Sequence, residues 1–394
     1  QVFVASMSLF TVGTLLAATA PGFELLLTGR IVQASGTALM LPLLMNTVLN
    51  LVPAHRRGRM MGVISIVIAV APAIGPTISG IILQALDWRW MFWLVLPIAL
   101  VAFAVGFRLV KNVTPTSKPS FDAASVVLSA LAFGGLVYGL SSIGHSAEGS
   151  SVPVWIPLVV GAVALAVFVQ RQIARQDSDR ALLNLRPFST PTFSIGLGML
   201  TISMMALFGA LILLPLYLQN IRGLDTLTTG LLLLPGGLAM GVLAPFVGRV
   251  FDRVGPRPLV IPGSIVVSLA LWLMTLLDAD SALPMVVAIH CILMIGLATI
   301  MTPLMTSPPG SLPPQYYSHG SAIFSTIQQL AGAAGTALFV TVMSTTATSR
   351  IASGVGDVAA NQDGIHTAFL CGGVVSLIAV AASFFIRKPT SQPG

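Results

Sequence analysis

The stretch APAIGPTISG, residues 71–80, lies inside an apolar run that is far too long for a strand or a core helix of a soluble protein. We therefore predict that this run spans a bilayer. Prolines in it remove backbone hydrogen bonds, so the helix is expected to bend. Its small residues have little side-chain volume, so a neighbouring helix can approach closely. The residues that carry this prediction are Pro72, Gly75, Pro76, Ser79 and Gly80. Any polytopic protein can contain a kinked helix, so other stretches must decide the family.

The composition of the 394-residue chain indicates an integral membrane protein. It is 55% hydrophobic and 8% charged, with mean hydropathy +0.94, whereas soluble domains are about 45–50% apolar and about 25% charged. The net charge of +7 does not indicate a nucleic-acid partner, because the basic residues are scattered through loops. Cys291 and Cys371 both lie in apolar runs, which argues against a disulfide framework and against a metal cluster.

Twelve apolar segments follow one another along the chain, and each has the length of a membrane-spanning helix. They lie at about 2–20, 25–52, 60–86, 90–107, 123–144, 153–170, 192–219, 228–248, 258–277, 283–306, 319–345 and 366–386. With residue 1 inside, the inner loops hold 15 of the 19 Lys and Arg residues, and the outer loops hold Arg89, Arg222 and Arg350. This asymmetry predicts a multi-pass protein of the cell membrane with both chain ends in the cytoplasm.

The inner loop GRVFDRVGPRP, residues 248–258, combines glycines, an aspartate and arginines at fixed spacing. Asp252 ends one helix shortly before the next begins, so its carboxylate is expected to meet the positive N-terminus of that next helix and the flanking arginines. Such a cluster would hold the inner faces of two helix bundles together and release them when they rock. The alternative is a solvent-exposed loop whose arginines only set the orientation of the protein in the membrane. The residues concerned are Gly248, Asp252, Arg253, Gly255 and Arg257.

These motifs resemble those of the major facilitator superfamily. Residues 75–80 are similar to the G-P-x-x-[SG]-G motif on the fifth helix of its exporters, and residues 248–258 fit its signature G-x-x-x-D-R-x-G-x-R. GRIVQASGTALMLPL at 29–43 resembles its fourth-helix motif R-x-x-Q-G-x-G, with Ala34 in place of the first Gly. The resemblance implies that Arg30, with Gln33, assists proton coupling. The alternative is an arginine that snorkels to the outer surface.

Two stretches of the second half look like the lincomycin-resistance type of fourteen-span exporter. They are LILLPLYLQNIRGLDTLTTGLLLLPGG at 211–237 and STIQQLAGAAGTAL at 325–338. Amides in the middle of a span must be satisfied by another helix, by water or by substrate, and methionines and aromatics can form an adaptable cavity wall. Contacts between helices and ordinary packing are the alternatives. The cavity candidates are Met204, Met205, Phe208, Tyr217, Gln328 and Gln329.

The resemblance implies an all-α polytopic fold of two helical bundles with an inserted hairpin. We expect a four-helix N-terminal bundle at 1–110, an inserted two-helix hairpin at 111–172, a cytoplasmic linker at 173–191 and a six-helix C-terminal bundle at 192–394. Measured against the fourteen-span pattern, two helices are expected upstream of residue 1. None of the twelve acidic residues lies within a predicted span, so we expect the essential carboxylate on the first of those helices, facing Arg30.

His290 is the one histidine well inside a predicted span, and its titration could serve as a proton relay. A neutral histidine bonded to a neighbouring helix is the alternative. We place it with Arg30 and Gln33 among the candidates for proton coupling.

The sequence contains no Walker-type phosphate loop, no Cys/His ligand cluster and no Ser–His–Asp set on neighbouring faces, which argues against a pump driven by ATP and against an enzyme. No cofactor or metal is expected. The resemblance implies a monomeric drug:proton antiporter that expels amphipathic or cationic small molecules from a lipid bilayer by alternating access. The alternatives are a dedicated metabolite exporter, an uptake symporter, and a transporter-like membrane sensor or scaffold.

Overall fold

The structure is a computed structural model that describes residues 1–110, 122–143, 153–178 and 181–386. Within these ranges, the long elements are twelve α-helices and no strand is present. The helices are α1 Val2–Ala18, α2 Phe23–Leu51, α3 Arg57–Ala85, α4 Trp90–Leu109, α5 Ala123–Ile143, α6 Trp155–Gln176, α7 Pro191–Leu216, α8 Thr226–Val254, α9 Arg257–Met274, α10 Leu283–Gly310, α11 Tyr317–Ala352 and α12 Asp357–Ser383. The end of the bundle at which α3 begins and α8 ends is called the basic end below.

Ten of the twelve helices in the described ranges are long and apolar enough to cross a membrane. The other two are α1, which is shorter at 17 residues, and α3, in which several side chains lie outside the described part. The helix ends differ from the predicted spans where polar turns extend a helix. For example, α12 begins at Asp357 rather than at 366, and Asp363 in its polar first turns pairs with Arg350 of α11 at 2.5 Å.

Close backbone contacts hold α1 against α2. A Cβ atom added to Gly36 would lie 2.5 Å from the carbonyl oxygen of Ser6, and one added to Gly29 would lie 2.7 Å from the amide nitrogen of Ala17. Small residues therefore allow these two helices to pack at backbone distance. α4 covers the other side of α1, where Gly106 makes room for the ring of Phe3.

α5 and α6 form the inserted hairpin, with Gly135 and Gly161 at their contact. At the basic end, Asp122 pairs with Arg171 at 3.1 Å and with Arg175 at 2.6 Å. Hydrogen bonds from Arg171 and Ser125 hold the pKa of the Asp122 carboxyl well below its usual range. α6 continues to Gln176, past the predicted start of the linker at 173.

The linker that follows α6 lies against the start of α11. The fully buried Gln172 donates to Ser125 and accepts from the backbone amide of Leu183 at 3.1 Å. Next, the amide of Asn184 donates to His319, and Arg186 donates to the hydroxyl of Tyr316 at 3.4 Å. The inserted hairpin is therefore connected to the C-terminal helices through a continuous polar chain.

The C-terminal helices contain the best-buried core. α7 and α10 lie at its centre, and every residue of α10 from Ile300 to Pro309 is buried. α9, α11 and α12 pack around them. This bundle meets the N-terminal helices mainly where α3 packs along α8.

Candidate functional site

α3 and α8 run antiparallel and touch at backbone distance near both ends. At the basic end, a Cβ atom added to Gly58 would lie 2.8 Å from the carbonyl oxygen of Gly248, and one added to Gly62 would lie 2.6 Å from that of Ala244. At the opposite end, one added to Gly230 would lie 2.9 Å from the hydroxyl of Thr77. We call this contact the α3–α8 seam. Glycines on both helices make it possible.

Asp252 caps the N-terminus of α3 from across the seam. Its two carboxylate oxygens accept hydrogen bonds from the backbone amides of Gly58 and Arg59, each at 2.8 Å. The helix's own N-cap residue, Arg56, provides no side-chain cap. A carboxylate at this position accepts from two amides that have no partner within the helix, and it lies at the positive end of the helix dipole. Asp252 is thus bonded to the other bundle.

The predicted partners of Asp252 were therefore wrong in part. It contacts the start of α3, not the start of α9 that follows it in the chain. Arg253 and Arg257 are exposed, and across the described ranges no ion pair joins either of them to Asp252. Gly248 lies in the seam, and Gly255 ends α8 with φ of 83°, a conformation that favours glycine.

Arg57 forms a second connection at the basic end, which the sequence analysis missed. Its guanidinium donates to the carbonyl oxygens of Val52 at 3.0 Å and Leu49 at 2.6 Å, at the end of α2. It also lies 5.6 Å from the ring centroid of Tyr317, the first residue of α11, and 3.5 Å from its hydroxyl. In the sequence, Arg57 looks like any other inner-loop arginine that sets the orientation in the membrane. Its position next to Gly58 is the one signal that it lies in the seam.

A cleft between the two bundles lies next to this closed end. It is narrow and partly open, with about 20 Å³ accessible to the centre of a water molecule, and its lining is apolar apart from one hydroxyl and one amide. Three methionines contribute, one each from α2, α3 and α10. The lining residues are Leu41, Leu44, Met45, Met61, Ile64, Met305, Phe324, Ser325 and Gln328.

Comparisons with known proteins agree with this architecture. A family model described as Major Facilitator Superfamily matches residues 1–336. The chain belongs to the Major Facilitator Superfamily. Lincomycin resistance protein LmrB of Listeria monocytogenes serovar 1/2a is 44% identical over 388 residues, which cover 97% of this chain and 82% of that protein. The LmrB protein of Bacillus subtilis is 41% identical over 383 residues, covering 95% and 79%.

The same fold occurs in a solved structure of low sequence identity. The human organic anion transporter MFSD10 (TETRAN) aligns with a TM-score of 0.64 at 15% identity, covering 97% of this chain and 76% of that one. The predicted all-α fold of this superfamily is therefore confirmed, as is the multi-pass membrane class. Membership also assigns the chain to a family of transporters and not of enzymes.

The exporter-like motif lies in the half of α3 that is away from the basic end. The helix is continuous from Arg57 to Ala85, so it passes through Pro72 and Pro76 without interruption. Among the described residues, Gly75 has no close neighbour, because a Cβ atom added there would meet none of their atoms within 4 Å. The close approach occurs two and five residues further on, where Thr77 meets Gly230 and a Cβ atom added to Gly80 would lie 3.5 Å from the Cα atom of Leu227. Ser79 is half-buried.

The structure separates the six predicted cavity residues. Gln328 lines the cleft, and its amide lies 3.8 Å from the sulfur of Met204. Met205 and Phe208 pack against Gly335 and Gly332 of α11.

Five of the six, all but Gln328, are not among the residues that line the cleft. Gln329 is exposed. Tyr217 is buried far from the cleft, in a short π-helical turn, Tyr217–Ile221, where its hydroxyl donates to the carbonyl oxygen of Asp278 at 2.6 Å. Tyr217 is therefore a structural residue of the end opposite to the basic end.

Arg30 and Gln33 belong to one hydrogen-bonded chain between α2 and α1. Arg30 is exposed and donates to the side-chain oxygen of Gln33 at 2.7 Å. The buried Gln33 donates to Thr14 at 2.8 Å, and Thr14 donates to the carbonyl oxygen of Phe10. Gln33 therefore fixes the direction in which the guanidinium of Arg30 points.

His290 lies inside the C-terminal bundle, away from the cleft lining. Its side chain is buried beside Gly236 of α8, and its Nδ1 has no hydrogen-bond partner among the described residues. In the same part of the chain, no group of three His, Cys, Asp or Glu side chains could hold a metal ion.

Proposed function

We propose that this chain is a secondary active transporter that exports amphipathic or cationic small molecules in exchange for protons. The observation that carries the proposal is the cleft. Methionines from both bundles and leucines of α2 form an adaptable apolar wall, and Gln328 provides one polar contact. The LmrB relatives are named for lincomycin resistance, which supports an exported drug as substrate. We infer that the chain works as a monomer without a cofactor in the cell membrane.

The seam would provide the moving contact for alternating access. Asp252 holds the start of α3, and Arg57 holds both α2 and α11, so both connections join the two bundles at one end. Opening of the cleft toward that end requires both to separate. The motif around Gly75–Gly80 would allow α3 to move at the other end. Following the asymmetry of the basic residues, we place the basic end in the cytoplasm.

Proton coupling is assigned to Arg30, Gln33 and His290. The chain from Arg30 through Gln33 to Thr14 holds a cation at a fixed position on α2, where it can respond to a neighbouring charge. His290 provides a titratable side chain with one unpartnered ring nitrogen.

Two other functions fit a member of this superfamily. A dedicated metabolite exporter or an uptake symporter would use the same cleft for one polar compound. A membrane sensor or scaffold would keep the fold without moving a solute. The apolar lining argues against a strongly polar sugar or acid as the substrate.

The test measures transport by a variant in which a large side chain fills the cleft. The protein, together with the segment expected upstream of residue 1, is expressed in a host that lacks its own drug pumps, and drug resistance is measured across a panel with and without a protonophore. Leu41→Trp places bulk in the cleft, whereas Leu39→Trp changes an exposed position of the same helix and serves as the matched control. We expect resistance that the protonophore abolishes, that Leu41→Trp removes and that Leu39→Trp keeps. Drug accumulation instead of export indicates a symporter, and no solute movement in vesicles indicates a sensor.

A further inference from the structure

The linker between α6 and α7 joins the inserted hairpin to α11 through two neighbouring backbone amides. The amide of Leu183 donates to the side-chain oxygen of Gln172 on α6 at 3.1 Å. The amide of the next residue, Asn184, donates to Nδ1 of His319 on α11 at 3.2 Å. Consecutive amides therefore have their partners on two different helices, one in the hairpin and one in the C-terminal bundle. We call residues 183–186 the strap.

The strap follows one path although residues 183–185 form no helix or strand. Leu183 packs against the hydrophobic core, and Asn184 is buried. The side-chain oxygen of Asn184 accepts from the amide of Arg186 at 3.0 Å. Backbone amides in a buried segment need partners, and here side chains of α6, α11 and the strap itself provide them. A movement of α6 relative to α11 therefore breaks at least one of these bonds.

The ion pairs of the hairpin fix the orientation of Gln172. Ser125 donates its one hydroxyl proton to Asp122 at 2.5 Å, so it can only accept from the side-chain nitrogen of Gln172, at 2.9 Å. The side-chain oxygen of Gln172 must then face the amide of Leu183. Gln172 is fully buried, so bulk water does not compete for either bond.

The strap meets α11 at the turn that takes part in closing the basic end. His319 is two residues from Tyr317, whose ring centroid lies 5.6 Å from the guanidinium of Arg57. The same continuous helix carries Ser325 and Gln328 into the cleft lining. The first turn of α11 thus lies between two attachments, the strap on the side of the hairpin and Arg57 on the side of the N-terminal bundle. A shift of this turn moves the cleft lining with it.

We propose that Gln172 is a positioning residue for transport, which acts through the strap. It holds the first turn of α11 where Tyr317 meets Arg57, and so sets how often the basic end opens. Without the strap this turn is free to leave Arg57, and the closed arrangement becomes less populated. The hairpin thereby acts on a cleft whose lining residues, given above, come from α2, α3, α10 and α11. The inference rests on the proposed alternating access, but the position of α11 is measurable without any solute.

The test measures the basic end in the protein together with the segment expected upstream of residue 1. Spin labels near the end of α2 and the start of α11 report the distance between them in detergent, without drug. Gln172→Leu removes both hydrogen bonds of the amide, and Gln170→Leu changes an exposed glutamine of the same helix as the matched control. We expect Gln172→Leu to lower the ratio of closed to open molecules by roughly twofold to twelvefold, the range for one net hydrogen bond. Gln170→Leu should leave the ratio unchanged.

A second pair of variants tests the other end of the strap. His319→Leu removes the acceptor for the amide of Asn184. His319→Asn keeps one, because the side-chain oxygen of asparagine occupies about the position of Nδ1. His319→Leu should shift the distances as Gln172→Leu does, and His319→Asn should restore them. This pair decides the question if Gln172→Leu fails to fold.

Transport rates per molecule provide the second measurement. They should change in Gln172→Leu and stay unchanged in Gln170→Leu. A lower unfolding temperature with unchanged distances and rates would show that the hairpin only stabilises the fold, and this would overturn the proposal. Shifted distances with unchanged rates would overturn it as well. If the unaltered protein moves no drug, the proposed export is wrong, and the distances alone decide whether Gln172 positions α11.

Discussion

Gly58 and Gly248 face each other across the α3–α8 seam, and neither position has room for a side chain. A Cβ atom added to Gly58 would lie 2.5 Å from Oδ1 of Asp252 and 2.8 Å from the carbonyl oxygen of Gly248. The two glycines therefore set the distance at which the carboxylate of Asp252 reaches the amides of α3. The backbone contact between the two glycines and the charged hydrogen bond of Asp252 therefore depend on each other. Asp252 lies 194 residues from Gly58 in the chain.

We predict that Gly248→Ala opens the basic end. Forcing one methyl group into the contact costs about 1–3 kcal/mol, enough to change the ratio of touching to separated helices by about fivefold to more than a hundredfold. Spin labels near the ends of α3 and α8 should report longer distances. Gly198→Ala is the matched control, because a Cβ atom added to this helical glycine meets nothing within 4 Å. An unchanged distance distribution in Gly248→Ala would show that the seam tolerates bulk.

Asp252→Asn should slow turnover more than it weakens drug binding. The amide keeps one oxygen, but its nitrogen would face a backbone N–H, so one charge-assisted hydrogen bond is lost at a cost of about 1.5–3 kcal/mol. The expected measurement is a lower transport rate with a nearly unchanged dissociation constant. Asp225→Asn is the control, because Asp225 caps its own helix and Asn caps equally well. If binding weakens as much as transport slows, the role of Asp252 lies in the cleft.

Hydropathy predicted the helices well because burial in a bilayer imposes one strong condition on every span. The spacing of glycines and charges also pointed to Asp252. It did not give the partner helix, because Asp252 bonds to α3, which is far away in the sequence. The role of Arg57 was missed for the same reason: its partners are carbonyl oxygens of α2 and a tyrosine of α11. Tyr217 and Gly75 were predicted as site residues from their residue type. Residue type alone does not say which face of a helix packs inward, so their actual surroundings could not be predicted.

Arg57→Lys should destabilise the basic end more than Tyr317→Phe. The guanidinium donates to two carbonyl oxygens at the end of α2, a fork that an ammonium group does not reproduce. The tyrosine hydroxyl lies at 3.5 Å, the limit of a hydrogen bond, and phenylalanine keeps the ring that the cation faces. Thermal unfolding in detergent should show a clear loss for Arg57→Lys and little for Tyr317→Phe. The reverse order would make the hydroxyl the important partner.

Acid should weaken the inserted hairpin through Asp122. The hydrogen bond from Arg171, with a further one from Ser125, lowers the pKa of this carboxyl in the folded state. A group with a lowered folded pKa contributes its stabilisation above its unfolded pKa of about 3.9 and loses it as the pH falls toward the folded value. The unfolding temperature should therefore fall below about pH 4. Asp122→Asn should be less stable at neutral pH and lose part of that acid dependence. A parallel acid response in both proteins would assign the effect to other carboxyls.

Gln328 should select among transported compounds by their hydrogen bonding. Its amide lies in the apolar cleft, and among the described residues its one side-chain hydrogen bond is the weak contact with the sulfur of Met204 at 3.8 Å. Gln328→Leu removes a poorly satisfied polar group, so the protein should remain as stable or become more stable. A bound compound that hydrogen-bonds to this amide would lose about 0.5–1.5 kcal/mol, or roughly twofold to twelvefold in affinity.

Compounds without hydrogen-bonding groups, such as tetraphenylphosphonium, should be exported as before or better. Gln329→Leu is the matched control, because the neighbouring amide is exposed and does not line the cleft. The measurement is the concentration dependence of efflux for one polar drug and for tetraphenylphosphonium in the three proteins. A change confined to the polar drug and to Gln328→Leu would place that drug against α11. Equal changes for both compounds would mean that Gln328 affects the movement of the helices and not the choice of substrate.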